Sequence, residues 1–340
     1  MSLFDELDHP RQIAGLNSFA LTALGHWDGE FDQVSLVKYR ENAVYSAVRS
    51  DGERIALRIH RDGYHHEAAL QSELQWMELL AEAGIQVPQV IRTRAGTPMI
   101  QVHCEQLGIS RYVDMLGWLP GATLGSAEEG LAGIEDVESI FHEVGVLAAR
   151  IHLHSSSWQQ PNSFVRHAWD EDGLIGHQPF WGTFWALDLL TEAQRELLQT
   201  LRHHARIDLR AYGRTLENYG MIHADLVPEN LLVEEDSLRL IDFDDAGFGW
   251  HMFELATALY FCLDDPRREA IRAALLAGYD SVKPLTPQDR QALPLFLALR
   301  GVTYLGWIHT RPHSQPALEL APLLIERACI LARHYLQARG

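Results

Sequence analysis

The stretch from residue 222 to residue 245 constrains this chain more than any other. It reads Ile222-His223-Ala224-Asp225-Leu226-Val227-Pro228-Glu229-Asn230, and twelve residues after Asn230 comes Asp242-Phe243-Asp244-Asp245. An aspartate on a loop precedes an asparagine by five residues, and a second aspartate ends a short pair of apolar strands at 231–233 and 238–241. Asp225 can accept a proton from a hydroxyl nucleophile. Asn230 and Asp242 offer hard oxygens, which suit Mg²⁺, a cation that takes few protein ligands and prefers phosphate and water. These are the parts phosphoryl transfer requires: a positioned nucleophile, metal-bridged phosphates and neutralised charge.

Upstream, residues 34–39 and 43–49 alternate like strands around Arg40-Glu41-Asn42, and Asp51-Gly52 turns the chain into a third strand at 54–60. Residues 67–83 carry Leu70, Leu74, Met77, Leu80 and Ala81 on one helical face, ended by Gly84. Short strands follow at 87–91, 99–102 and 112–116, so the first third reads as a small sheet lobe with one embedded helix. Gly117-Trp118-Leu119-Pro120-Gly121 is a turn-rich crossing, and 135–154 is an amphipathic helix with a stripe from Val137 to Ile151. The expected class is α+β and bilobal: an N-terminal lobe at 1–116, a hinge at 117–121 and a mainly helical lobe at 117–340. A length of 340 residues agrees, because it exceeds what one hydrophobic core usually supports.

With 28 basic and 46 acidic residues, the net charge of −18 repels phosphate backbones and anionic lipid. No nucleic-acid partner and no membrane partner are expected, and an anionic ligand has to be held by local cations or a bridging metal. The most apolar window, 293–308, is broken by Pro294 and Arg300 and reads as a buried helix, not a membrane span. The first ten residues carry Asp5, Glu6 and Asp8, unlike a signal peptide. Cys104, Cys262 and Cys329 are far apart and odd in number, which fits a reducing compartment. A cytoplasmic monomer or homodimer is expected. The histidine pairs at 65–66, 203–204 and 152/154 lack the spacing and third ligand of a zinc site.

The segment resembles the kinase catalytic loop, His-x-Asp-Leu-x-x-x-Asn, followed by an Asp-Phe-Gly metal element. With Asp242-Phe243-Asp244 in that last place, it is similar to the aminoglycoside phosphotransferase and choline kinase family, which has a protein-kinase-like fold. The likeness covers nearly the whole chain in order. A lone His-x-Asp carries almost no information; the two spacings and their setting carry it. The resemblance implies Asp225 as catalytic base, Asn230 and Asp242 as Mg²⁺ ligands on the ATP phosphates, His223 as a brace of the loop, and Asp244 as a support of the metal site. Arg58 stands where the family places its phosphate-binding basic residue, a lysine in protein kinases, and adds a bidentate fork. Glu73 is its expected partner and Glu67 the fallback. Taken alone, Arg58 reads as a surface strand residue and Glu73 as a solvated helix charge. The glycine-free turn at 39–45 would cover the phosphates, and backbone groups of Gly117 and Leu119 would meet the adenine edge. Glu254 falls where the family has an acid, usually aspartate, that braces the catalytic loop, four residues into a helix expected at 250–263. Asp245 is expected to cap that helix. The aromatics between Trp158 and Trp185, with Phe164, Phe180 and Phe184, read equally as core or as lining of an acceptor pocket.

The resemblance thus implies an ATP- and Mg²⁺-dependent phosphotransferase acting on a hydroxyl of a small molecule such as an aminoglycoside, choline, ethanolamine or homoserine. Two departures disfavour a protein acceptor. The chain enters a helix soon after Asp242, leaving no room for an activation segment, and Val227 stands where Ser/Thr protein kinases place a lysine. A bacterial stress-type Ser/Thr protein kinase and a catalytically silent nucleotide-binding regulator are the alternatives. The presence of Asp225, Asn230 and Asp242 together argues against the silent one.

Overall fold

In a computed structural model, which describes residues 4, 7–39, 42–105, 107–126, 130, 131, 133–234, 237–312 and 314–339, the chain separates into two units. One comprises Met1–Pro120 with Pro161–Val165, the other Gly121–Gln160 with Arg166–Gly340.

The first unit opens with α1 (His9–Leu24), a helix additional to the single one expected in this part of the chain. Asp8 starts it by accepting the Arg11 N–H at 2.9 Å, and Pro10 sits in the first turn, where no N–H is missed. Leu16, Phe19, Ala20, Ala23 and Leu24 make its buried stripe. There follow β1 (Phe31–Tyr39), β2 (Ala43–Arg49), β3 (Arg54–Ile59), α2 (Glu67–Glu82), β4 (Val90–Ile91), β5 (Met99–Cys104) and β6 (Ile109–Gly117). They form one antiparallel sheet in the order β1-β2-β3-β6-β4, with β5 also pairing β6. The two-residue period of β3 divides it cleanly. Ile55, Leu57 and Ile59 join Phe19, Trp27, Val113 and Met115 in the core, while Arg54, Ala56 and Arg58 line the other face. Of the turn at 39–45, Arg40 and Glu41 lie outside the described residues.

The second unit contains β7 (Ala122–Thr123), α3 (Val137–Ser157), β8 (Ala168–Trp169), α4 (Glu171–Ile175), α5 (Glu192–Tyr212), β9 (Tyr219–Ile222), β10 (Leu231–Glu234), β11 (Ser237–Leu240) and β12 (Gly247–Trp250). Helices α6 (His251–Tyr260), α7 (Arg268–Val282), α8 (Pro287–His309) and α9 (Gln315–Ala338) complete it. Two small sheets, β11-β10-β7 and β8-β12-β9, hold the chemistry-bearing segment. Every residue of α6 is buried. Helices α3 and α7 touch backbone to backbone at a glycine pair. A Cβ on Gly145 would fall 2.1 Å from the Leu275 carbonyl oxygen, and one on Gly278 would fall 1.9 Å from that of His142. The apolar window at 293–308 is the largely buried C-terminal two thirds of α8, and no helix among the described residues is long and apolar enough to cross a membrane.

One expectation is corrected. Asp245 does not cap a helix starting at Trp250, because β12 lies between them. The helix begins at His251 after Trp250, with no side-chain cap. The four residues Gly-Phe-Gly-Trp of β12 are too short and too glycine-rich to mark a strand by themselves, and pairing with β9 and β8 creates it.

Candidate active site

The catalytic-loop segment leaves β9 at Ile222 and is fixed from below by one carboxylate. Glu254, fully buried in the first turn of α6, accepts the backbone N–H groups of His223 and Ala224, each at 2.7 Å. Burial raises the Glu254 pKa, while His223 and those two N–H groups oppose the rise. The loop bends sharply at Ala224, whose φ of 63° is left-handed and costs a residue with a Cβ about 1–2 kcal/mol. His223 Nδ1 accepts the Asp225 N–H at 3.3 Å, so Nε2 carries the hydrogen and donates to the Ile241 carbonyl at 3.1 Å. Its ring also stands edge-on to Phe243. His223 therefore ties the loop to the strand end that bears Asp242. One 3₁₀ turn, Pro228–Asn230, then brings Asn230 back, and its Nδ2 donates to the Asp225 carbonyl at 2.9 Å and to Asp225 Oδ2 at 2.8 Å.

The other Asp225 oxygen has a partner that the sequence did not announce. Arg300, fully buried in α8, donates from Nη2 to Oδ1 at 2.7 Å and from Nη1 to the Ala224 carbonyl at 3.1 Å. Asp225 keeps 23% of its side chain exposed. Burial pushes its pKa up to about 7; Arg300 opposes the rise, Asp245 and Asp242 add to it, and Asn230 lowers it.

Asp242 is exposed at the end of the strand pair, with a left-handed φ of 66° that aspartate tolerates. Asn230, its amide nitrogen turned to Asp225, is left with Oδ1 to offer a cation. An exposed carboxylate and an amide oxygen are hard donors, and Mg²⁺ commonly takes one or two protein oxygens with phosphates and water. The residues fit that ion. Among the described residues no group of three or more His, Cys, Asp or Glu is gathered as a metal site.

The backbone after Asp242 is clamped. Arg166 donates to the carbonyls of Ala246, Asp244 (2.7 Å) and Phe243 (3.3 Å). His167 Nε2 and Trp169 Nε1 both reach the Asp245 carbonyl, at 3.0 and 2.8 Å. The side chains diverge: Asp244 is buried, and Asp245 accepts from Trp181 Nε1 at 3.3 Å. Among the aromatics of 158–185, Trp169 and Phe184 are fully buried core, and Trp181, also buried, lies 5.1 Å from the Arg300 guanidinium and 5.7 Å from the Tyr304 ring.

In the first unit, Arg58 pairs with Glu73 at 2.9 Å, and Glu67 instead accepts from Gln71 and Tyr112. A second carboxylate, Asp114 of β6, takes Arg58 Nε and Nη2 at 2.9 and 2.8 Å and meets His60 Nε2 at 2.7 Å. Burial alone would raise the Asp114 pKa, but Arg58 and His60 outweigh it and hold the carboxyl well below the usual range. The Arg58 charge is thus shared, and a phosphate arriving there competes with Asp114. On the same face of β3, Arg54 donates to Ser46 at 2.7 Å and stacks on Trp118 at 3.7 Å. It lines an open surface depression together with Gln33, Val34, Ser35, Ser46 and Val48. The Gly117 N–H donates to the Gln89 carbonyl at 2.8 Å; Leu119 follows, half-buried.

Sequence reasoning missed Arg300, Arg166, Asp114 and Arg54. Of these, Asp114 and Arg54 sit on predicted strands and share a face with Arg58 by strand parity and register. Arg300 and Arg166 gave no comparable signal.

The model of the phosphotransferase enzyme family (APH) matches residues 36–293. The amicoumacin kinase of Bacillus subtilis (strain 168) is 25% identical over 288 residues, 82% of this chain and 80% of that protein. The homoserine kinase of Gluconobacter oxydans (strain 621H) is 27% identical over 258 residues, 70% of this chain and 72% of that protein. A solved microcompartment-associated aminopropanol kinase is 31% identical with a TM-score of 0.83, over 95% of this chain and 98% of that one.

Proposed function

The chain belongs to the phosphotransferase enzyme family, and from that premise we propose that it is an ATP- and Mg²⁺-dependent kinase for the hydroxyl of a small amino alcohol. The observation that carries this reading is the Asp225 carboxylate, held at both oxygens on a braced loop, with Asn230 beside it and Asp242 exposed at the next strand end.

Asp225 accepts the hydrogen bond of the acceptor hydroxyl and takes its proton as the new oxygen–phosphorus bond forms. The bond from the γ-phosphorus to its bridging oxygen breaks, and ADP leaves with that electron pair. Asn230 Oδ1 and the Asp242 carboxylate would hold Mg²⁺, which supplies charge neutralisation on the phosphates. Glu254 and His223 keep the loop from shifting while the proton moves. In the first unit, Arg58 is the cation suited to a phosphate.

The amino-alcohol reading draws on two supports. Aminopropanol and homoserine, for which two of the relatives are named, each carry an amine and a hydroxyl. In this chain, the net charge of −18 favours a cationic acceptor by electrostatic steering. A protein acceptor is less well supported, because the backbone after Asp242 runs under the Arg166 clamp directly into β12.

The test is ATP consumption with Mg²⁺ against amino alcohols, hydroxy-amino acids, sugars and aminoglycosides. An amino alcohol is expected to raise turnover, and Asp225→Asn to lower it by about 10²–10⁴-fold. ATP binding with no acceptor-dependent ADP release would remove the kinase reading in favour of a silent regulator.

A further inference from the structure

Arg300 is fully buried in the middle of α8, within an otherwise apolar run, and its guanidinium reaches three oxygens. Nη2 donates to Asp225 Oδ1 and to the Tyr304 hydroxyl, each at 2.7 Å, and Nη1 donates to the Ala224 carbonyl at 3.1 Å. The rings of Tyr304, Trp181 and Phe253 surround it at 4.4, 5.1 and 5.8 Å. A guanidinium so enclosed has one available pose. A buried ion pair is by itself a poor device for stability, since apolar side chains of similar volume often do as well. Its presence here calls for another explanation, and the oxygens it touches supply one. Arg300 grips the side chain of Asp225 and the peptide just before it, at the left-handed bend of the loop. From the other side, Asn230 holds Oδ2. A carboxylate gripped at both oxygens from separate elements cannot rotate about its own axis, and its remaining lone pairs face one fixed direction.

Resting on the kinase reading above, we propose that Arg300 is a positioning residue for phosphoryl transfer, aiming the Asp225 carboxylate at the acceptor hydroxyl. It touches neither acceptor nor phosphate; it acts through Asp225. Orientation matters here because a misplacement of about 1 Å at a reacting group can cost about 100-fold in rate. A lysine in its place keeps the charge but, as a point donor, cannot hold Asp225, Ala224 and Tyr304 in one plane.

The experiment compares Arg300→Lys, Asp225→Asn and the double variant with wild type, in the full chain, using the best acceptor from the panel. Arg300→Lys is expected to lower kcat by about 10- to 100-fold with KM for ATP within about twofold. The double variant is expected to be no slower than Asp225→Asn, since a residue acting through Asp225 has nothing left to aim. An unchanged kcat, or the same fractional loss in both backgrounds, would overturn the proposal and leave Arg300 a packing residue. Should Arg300→Lys fail to fold, Tyr304→Phe removes only the hydroxyl that orients the guanidinium. A several-fold kcat loss confined to the Asp225 background is then expected, and equal losses in both backgrounds overturn the proposal. Wild-type turnover in the same assay reports separately on the kinase reading: an inactive wild type sinks both, an active one with equal losses sinks this proposal alone.

Discussion

At the scale of single residues, the site is built from groups that hold other groups. Glu254 shows it best. Its two oxygens each take one backbone N–H, so one side chain holds both peptide N–H groups ahead of Asp225. Glu254→Gln replaces one acceptor with an NH₂ that faces a donor. Leaving a buried N–H unsatisfied in this way is expected to cost about 1–3 kcal/mol in urea unfolding and to lower kcat more than KM. Unfolding and kinetics equal to wild type would show that the loop holds itself. The residues proposed to carry the chemistry, Asp225, Asn230 and Asp242, could be picked out in the sequence because their spacing is a local property of one loop and one hairpin. Their holders were not. Arg300 lies 75 positions from Asp225, and in the text of the chain it reads only as an interruption of an apolar run. Glu73 stands between these cases. Its helix and its distance from Arg58 are visible in sequence, but the second carboxylate, Asp114, enters only through the register of β6 against β3.

At the scale of elements, strands and helices with a clean period were legible. Helix α2 falls at Glu67–Glu82, close to the expected 67–83, and α3 at Val137–Ser157, shifted by two or three residues from 135–154. Elements made by pairing were not. Strand β12 has two glycines in four residues, which weaken the strand preference of its Phe and Trp, yet it decides where the segment after Asp242 goes. Its neighbour β8 brings Arg166, His167 and Trp169 onto the carbonyls of 243–246, so the segment that follows Asp242 is tied to a distant part of the chain. Arg166→Met keeps bulk and removes the donors. It is expected to raise the Mg²⁺ concentration needed for half-maximal activity about 10-fold, the lower end of what losing a supporting partner of a metal ligand costs. Thermal stability and KM for the acceptor should change less. An unaltered Mg²⁺ dependence would mean that the hairpin alone fixes Asp242.

At the scale of the whole molecule, acid sensitivity follows from buried histidines. His152, bonded to Tyr279, is fully buried, and burial with the nearby Lys283 pushes its pKa down to about 3. His251 stacks on it at 4.2 Å and is likewise held well below its ordinary value, first by burial and then by His152. Unfolded, both titrate near 6.5, so below that pH the unfolded chain binds more protons than the folded one. Their contribution is complete above about pH 6.5 and is lost as pH falls from there toward 3, with a slope of at most about 1.4 kcal/mol per pH unit for each histidine. Urea unfolding at pH 7.5 and 5.0 should show the decline, and His152→Phe should flatten it; equal stability at both values would mean that these rings are not neutral in the fold. What the sequence determined by itself was set by short-range spacing: the sheet-then-helix order, the buried run of α8, and the spacing of Asp225, Asn230 and Asp242. Periodicity and loop length are local, and a residue's neighbours within a turn or a hairpin can be counted along the chain. Only the tertiary structure decided which charges meet: Arg300 with Asp225, Arg166 with the carbonyls of 243–246, and Asp114 with Arg58. The physical reason is that a buried cation is tolerable wherever some carboxylate or carbonyl is brought to it, and the packing of α8, β8 and β6, not their sequences, supplies that partner.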